Sequence, residues 1–146
     1  MFEHILVPID RSSASRRAAR RAIAFAAETG ARVTGYHALP LQASHQVYGD
    51  GYRFAHSGTR RKELAAARER YLDSTADAAR AAGVAFDMLV ERAQTPEDGI
   101  VGAARKRKCD LIFMGSHGRR GLARLALGSV AASVLTRAEV PVLVCR

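Results

Sequence analysis

The chain is short of acidic residues, of cysteine and of long apolar runs, and each shortage narrows what it can be. Only 14 Asp and Glu stand against 23 Lys and Arg, a formal charge of +9, which raises the question of nucleic acid or acidic membrane partners. No apolar run approaches the roughly 20 residues that a membrane span needs. Met1-Phe-Glu-His-Ile-Leu-Val-Pro8 enters a strand without the basic start and small-residue cleavage site of a secretory signal, so a cytoplasmic location and no membrane partner are the expectation. The cysteines, Cys109 and Cys145, form neither a CxxC pair nor a metal-ligand spacing and read as reduced residues near the core. There is no zinc-finger spacing and no RNA-recognition sequence. Also missing are the Gly-x4-Gly-Lys-Ser/Thr phosphate loop, a Ser/His/Asp arrangement and paired carboxylates beside a histidine, so no residue is assigned as catalytic.

What is present fits one domain over residues 1–146, with 48% hydrophobic residues to fill a two-sided core. Strand and helix patterns alternate from end to end, the mark of an α/β fold with a parallel sheet. Strand one is His4 to Val7. Helix one, about Ser13 to Thr29, buries Ala19, Ala22, Ile23 and Ala26 and stops at Gly30. Strand two is Arg32 to Ala38. A second long helix, about Thr59 to Ala82, carries Leu64, Ala67, Tyr71, Thr75, Ala78 and Ala82 on one face and ends at Gly83. Strand three is Ala85 to Val90. Helix three opens at Thr95-Pro-Glu-Asp98, with a capping hydroxyl, proline at the first helical position and two carboxylates at the positive dipole end, and closes in Arg105-Lys-Arg-Lys108. Strand four, Asp110 to Met114, a glycine loop, helix four over Val130 to Ala138 (apolar at Ala131, Val134, Leu135 and Ala138) and strand five, Val140 to Cys145, complete the chain. Leu41 to Gly58 breaks the rhythm; polar and glycine-rich, it is either a lid over the carboxyl end of strand two or a disordered or packing-only loop.

The glycine loop is the richest feature. Gly115, Gly118 and Gly128-Ser129 are spaced Gly-x2-Gly-x9-Gly-Ser between a buried strand and a helix. Gly115 and Gly118 are suited to positive φ and to close approach of backbone N–H groups to an anion, and the helix opened by Gly128-Ser129 favours negative charge at its start. With Pro8-Ile9-Asp10 after strand one and Val140-Pro-Val-Leu-Val144 at the end, this pattern resembles the universal stress protein family over nearly the whole chain.

The fold class read from the chain is a single doubly wound α/β domain, a five-stranded parallel sheet ordered 3-2-1-4-5 with helices on both faces. In that order the connections reverse between strands one and four, and ligands lie in the crevice at the carboxyl ends of these strands. Asp10, the glycine loop and the end of strand two therefore share one cleft. Asp10 is placed either to bond a ribose hydroxyl or help hold a metal, or to cap helix one together with Ser12 and Ser13.

The resemblance implies ATP as the ligand. By analogy with the family, Pro8, Ile9 and Asp10 border the nucleoside and Ala38 offers backbone contacts to adenine. Met114, Gly115, His117 and Gly118 line the ribose and phosphate side, while Gly128, Ser129, Val130 and Ala131 cradle the phosphates, with Mg2+ or Mn2+ as a candidate companion of those phosphates. Two positions depart from the family pattern: Arg11 replaces the glycine commonly found after the aspartate, and Ala131 lacks a hydroxyl that family ATP binders can offer. The implied role is regulatory or sensory, part of a stress response, through nucleotide-dependent shape or partner binding; the alternatives are a slow ATPase and an interaction module with an empty cleft. Val140 to Cys145, β-favouring and free of internal charge, is the expected edge of a homodimer. The basic residues, twenty of them arginine, are distributed over several helices and read mostly as solvated faces, with no specific nucleic-acid role.

Overall fold

The structure, a computed structural model, describes residues 1–41, 57–117 and 127–146. Five parallel strands, β1 (His4–Pro8), β2 (Arg32–Pro40), β3 (Phe86–Ala93), β4 (Leu111–Gly115) and β5 (Val142–Cys145), form one sheet in the order β3-β2-β1-β4-β5. This is the expected doubly wound arrangement. Successive strand side chains point to opposite faces, and the two cores divide accordingly. Ile5, Val7, Leu111 and Phe113 pack on one side and Leu6, Ile112 and Met114 on the other.

The first face is covered by α1 (Ser13–Thr29), α2 (Ser57–Tyr71) and α3 (Asp73–Ala81), the second by α4 (Pro96–Arg107) and α5 (Ser129–Arg137). In α1, Ala18, Ala19, Ala22, Ile23 and Ala26 are buried. Ser12 caps its start by accepting from the Ser15 N–H at 3.1 Å, and Gly30 ends it at φ 75. Thr95 likewise caps α4 by accepting from the Asp98 N–H at 3.2 Å. The small side chains facing the sheet let α1 approach closely, with a consequence at Gly115 described below.

The long second helix is interrupted. At Leu72 the helix is distorted, φ widening to −117 while ψ stays at −25, and α2 and α3 are separate elements. Beyond the break the buried positions are Leu72, Thr75 and Ala79, while Ala78 and Ala82 of the expected face are exposed. On an unbroken helix Leu72 would lie about 100° round from Tyr71, off the apolar stripe. Leu72 nonetheless shares the buried side with Thr75 and Ala79 and is fully in the core, where burying a leucine contributes about 1.5 to 3 kcal/mol. A second correction concerns α5: Ala131 and Val134 are buried as expected, but Leu135 is 44% exposed. Strands two and three extend further than expected, to Pro40 and Ala93, because they pair with each other through Pro40↔Ala93.

The amino-terminal end of the sheet is tied by side chains. Asp110 accepts from the Glu3 N–H at 2.7 Å and the His4 N–H at 3.0 Å, and its own N–H donates to the His4 carbonyl at 2.9 Å. Burial pushes the Asp110 carboxyl up, but these donors prevail and hold it below the usual carboxylate range. His4 Nε2 lies 2.8 Å from Thr34 Oγ1 inside the sheet. Burial first, and the Arg32 charge second, lower the His4 pKa from 6.5. Cys109 and Cys145 are both free and buried; burial pushes the Cys109 thiol up to about 11, so Cys109 remains a neutral thiol near pH 7.

Candidate functional site

At the carboxyl end of the sheet β1 parts from its neighbours. Its last rung to β2 pairs Pro8 with Tyr36, after which the Ile9 N–H donates to the Tyr36 carbonyl at 2.8 Å. Strand alternation turns the backbone groups of Ala38 to the same side as those of Tyr36. They therefore lie beyond the last rung to β1, facing the crevice. His37 reaches back across it: its Nδ1 is 2.7 Å from the Ile9 carbonyl. A carbonyl only accepts, so Nδ1 carries a proton. The same imidazole stacks on Tyr71 of α2, centroids 3.6 Å apart and planes 9° from parallel. Sequence reasoning gave His37 no role and placed Tyr71 on the apolar face of a helix; the available signal was an aromatic and a histidine adjoining the expected cleft.

From Ile9 the chain turns into α1. The Asp10 carboxylate accepts from the Ser12 N–H at 2.9 Å, a local turn that sets Ser12 as cap, and the Asp10 N–H donates to Ser15 Oγ at 3.3 Å. Of the two readings of Asp10, the turn-forming role is present in the structure. Ser13 is the first helical residue rather than a cap. Between Asp10 and Ser12, Arg11 sits in the left-handed region at φ 66, which costs a side-chain-bearing residue about 1 to 2 kcal/mol. The family's usual glycine would hold that conformation without strain.

The glycines of β4 and α5 prove to be matters of close packing. A Cβ on Gly115 would lie 2.8 Å from the Ala14 carbonyl carbon and 3.0 Å from the Ser15 nitrogen, so only glycine lets α1 cross β4 here. Positive φ, suggested for it by the sequence, is not its conformation: among the described glycines only Gly30 and Gly83 have it. A Cβ on Gly128 would lie 2.9 Å from the Ser116 carbonyl oxygen and 3.2 Å from His117 Cα, and the Gly128 N–H donates to that carbonyl at 2.7 Å. Ser116, absent from the sequence reading, thus staples the two ends of the loop together; its own N–H donates to the Cys145 carbonyl at 2.7 Å.

These contacts bring β1, β4 and α5 to one place. The Ser12 hydroxyl is 3.5 Å from the His117 carbonyl, and His117 in turn adjoins Gly128 at the start of α5. The α5 N-cap is Gly128, with no side-chain cap hydrogen bond, and the first backbone acceptor inside the helix serves Ala132. The N–H groups of Ser129, Val130 and Ala131 precede that bond and have no acceptor within the helix, which leaves the positive dipole end to an anion. His117 Nδ1 is 2.9 Å from Ser116 Oγ, and its enclosed Nε2 has no hydrogen-bond partner among the described residues. Met114 is buried in the second core. Of the expected site residues, Pro8, Ile9, Asp10, Ala38, Met114, Gly115, His117, Gly128, Ser129, Val130 and Ala131 lie at this end of the sheet. Gly118 and most of the segment considered as a lid, residues 42–56, are outside the described residues.

Among the described residues no group of three or more His, Cys, Asp or Glu side chains is arranged to hold a metal ion. A cation accompanying a bound polyphosphate would be held chiefly by the phosphate oxygens, with Asp10 the carboxylate offered at the end of β1. No helix among the described residues is long and apolar enough to cross a membrane.

Residues 1–146 match the model of the universal stress protein family. A universal stress protein of Methanocaldococcus jannaschii is 32% identical over 146 residues, covering 100% of this chain and 83% of its own length. Among solved structures, the universal stress protein UspA of Lactobacillus plantarum superposes with a TM-score of 0.79 at 24% identity, over 99% of this chain and 98% of that one. A universal stress protein solved in complex with cAMP superposes with a TM-score of 0.69 at 25% identity, over 99% of this chain and 97% of that one.

Proposed function

This chain belongs to the universal stress protein family, and we propose that it binds ATP in the crevice between the ends of β1 and β4 and acts as a regulatory or sensor protein whose output is a change of shape or partner on nucleotide occupancy. The observation that carries the reading is the start of α5: three N–H groups without helical acceptors and without a side-chain cap, fixed beside the topological switch point by the Gly128 to Ser116 hydrogen bond. Ala38 offers a backbone donor and acceptor to an adenine edge, Pro8, Ile9 and Asp10 border the nucleoside, and Gly128 to Ala131 receive the phosphates, with His117 and Gly118 between. The relative solved with cAMP supports an adenine nucleotide as the ligand class.

The test is calorimetry with ATP, cAMP and GTP, together with mass spectrometry of nucleotide released when freshly purified protein is denatured. Micromolar ATP binding that is abolished in the folded Gly118→Val/Gly128→Val double variant and only weakened in His117→Ala is the expected result. Undiminished affinity in the folded double variant removes the phosphates from this loop. ADP release at catalytic enzyme concentration would mark turnover and replace the sensor reading with a slow ATPase.

The same reading includes a homodimer through β5. The strand is a sheet edge carrying Leu143 at 38% exposure, while Val142 and Val144 pack against the second core. Leu143→Lys is therefore the clean probe. A dimer by light scattering at tens of micromolar, dissociated by that change, is expected; a monomeric parent protein would count against it.

A further inference from the structure

The basic residues divide into two populations that composition does not distinguish. On α4 each cation of the last turn has an acid: Arg105 pairs with Glu139 at 2.6 Å, Lys106 with Glu91 at 2.5 Å and Arg107 with Asp87 at 3.6 Å. On α1, Arg16, Arg17, Arg20 and Arg21 are all exposed, and no ion pair joins them to an acid among the described residues. Their recorded polar contacts are with neutral groups: Arg16 donates to the Arg11 carbonyl at 2.8 Å and Arg21 approaches Cys145 Sγ at 3.9 Å. Positions i, i+1, i+4 and i+5 span an arc of about 140° and a rise of about 7.5 Å. Exposed Arg11 stands at the head of this stripe, and the helix's only acid, Glu28, is in its last turn.

We propose that the solvent face of α1 is a sequence-independent docking surface for the phosphate backbone of nucleic acid. Like charges held this close repel one another, and an external anion relieves them. Arginine's planar fork matches phosphate oxygens. A duplex presents about one charge per 1.7 Å of axis, so every guanidinium on the stripe meets a phosphate without a shape-matched partner surface. An acidic bilayer is the poorer occupant, because the large apolar residues of α1, Ile23 and Phe25, pack on the core and the exposed apolar positions, Ala24 and Ala27, carry only methyl groups, too small to anchor in a bilayer. No aromatic side chain lies on the exposed arc, so nothing on it stacks on bases or reads sequence.

The experiment titrates the full chain with a labelled random duplex of about 25 base pairs, from about 50 to 200 mM salt, since each phosphate contact contributes about 0.9 to the slope of log K against log salt. R16Q/R17Q/R20Q is compared with the charge-matched R105Q/K106Q/R107Q, circular dichroism showing both folded. The α1 triple should lose at least tenfold in affinity at the low salt and lower the slope by about 2 to 3, while the α4 triple changes the slope by less than about 1. R17Q/R20Q, which leaves the Arg16 contact intact, should lower it by about 1.8. Equal losses in both triples would overturn the assignment by reducing it to net charge. Tighter retention on phosphatidylserine vesicles than on the duplex would overturn it in favour of a membrane, and a hundredfold preference for one duplex sequence would overturn its sequence independence.

Discussion

The two ends of the sheet are built on opposite plans. At the amino-terminal end most polar groups find partners inside the protein: Asp110 takes two backbone N–H groups and His4 Nε2 meets Thr34 Oγ1, while the buried His4 Nδ1 has no partner among the described residues. At the carboxyl end the chain leaves polar groups unsatisfied or held under strain. The start of α5 has no side-chain cap, His117 Nε2 is enclosed without a partner among the described residues, and Arg11 occupies a left-handed turn. One end ties the strands together and contributes stability; the other leaves helix N–H groups without helical acceptors and holds Arg11 in a strained turn, at a cost to stability. Both ends are hinged on the same strands, so substitutions can separate the two plans.

The largest effect should come from joining them. Gly115→Val places a branched side chain against the backbone of Ala14 and Ser15, and overpacking of this kind costs about 3 kcal/mol. Chemical denaturation should show that loss, with nucleotide affinity falling only as the fold does. If Gly115 touched ligand alone, the denaturation midpoint would not move.

Asp110→Ala should act on the amino-terminal end only. Losing two hydrogen bonds to a carboxylate should lower stability by about 2 kcal/mol, discounted for partial exposure, while ATP titration stays unchanged. A matching loss of ATP affinity would show that the two ends are coupled.

His4 sharpens the contrast through pH. Its folded pKa lies below its unfolded 6.5, so the unfolded chain binds more protons in the window beneath 6.5. Stability is therefore complete above that value and declines as pH falls through the window toward the folded pKa. Denaturation midpoints between pH 7.5 and 5 should show the decline, and His4→Gln should flatten the part that this group supplies.

The smallest change is at the carboxyl end. Arg11→Gly should relieve the left-handed strain and raise stability by about 0.5 to 1 kcal/mol, the gain being trimmed by the greater freedom of glycine in the unfolded chain. A drop in stability would mean that the arginine side chain contributes more than its backbone conformation costs.

Much of this was legible in the residues because the relevant signals act over a few positions. Gly30 and Gly83 end helices, Thr95-Pro96 starts one, and Ile5-Leu6-Val7 alternates between two cores, each by geometry confined to its own turn or strand. The doubly wound order was readable as well, because alternating strand and helix segments admit few right-handed arrangements. The reversal of connection between β1 and β4 followed from that order.

Tertiary structure decided what depends on distant neighbours. Leu72 rather than Ala78 or Ala82 is buried beside Thr75 and Ala79, and a periodicity count cannot know where the facing elements will stand. Gly115 is required by the approach of α1, about a hundred residues away in sequence, rather than by its own backbone angle. His37 reaches Ile9 and Tyr71 only when β2, the end of β1 and α2 converge. The arginines of α1 and the cations of α4 carry the same sign of charge, and among the described residues only the fold set acids beside one group and not the other. Local conformation is fixed by each residue and its immediate neighbours, whereas burial, pairing and unspent charge belong to surfaces that do not exist until the chain has folded.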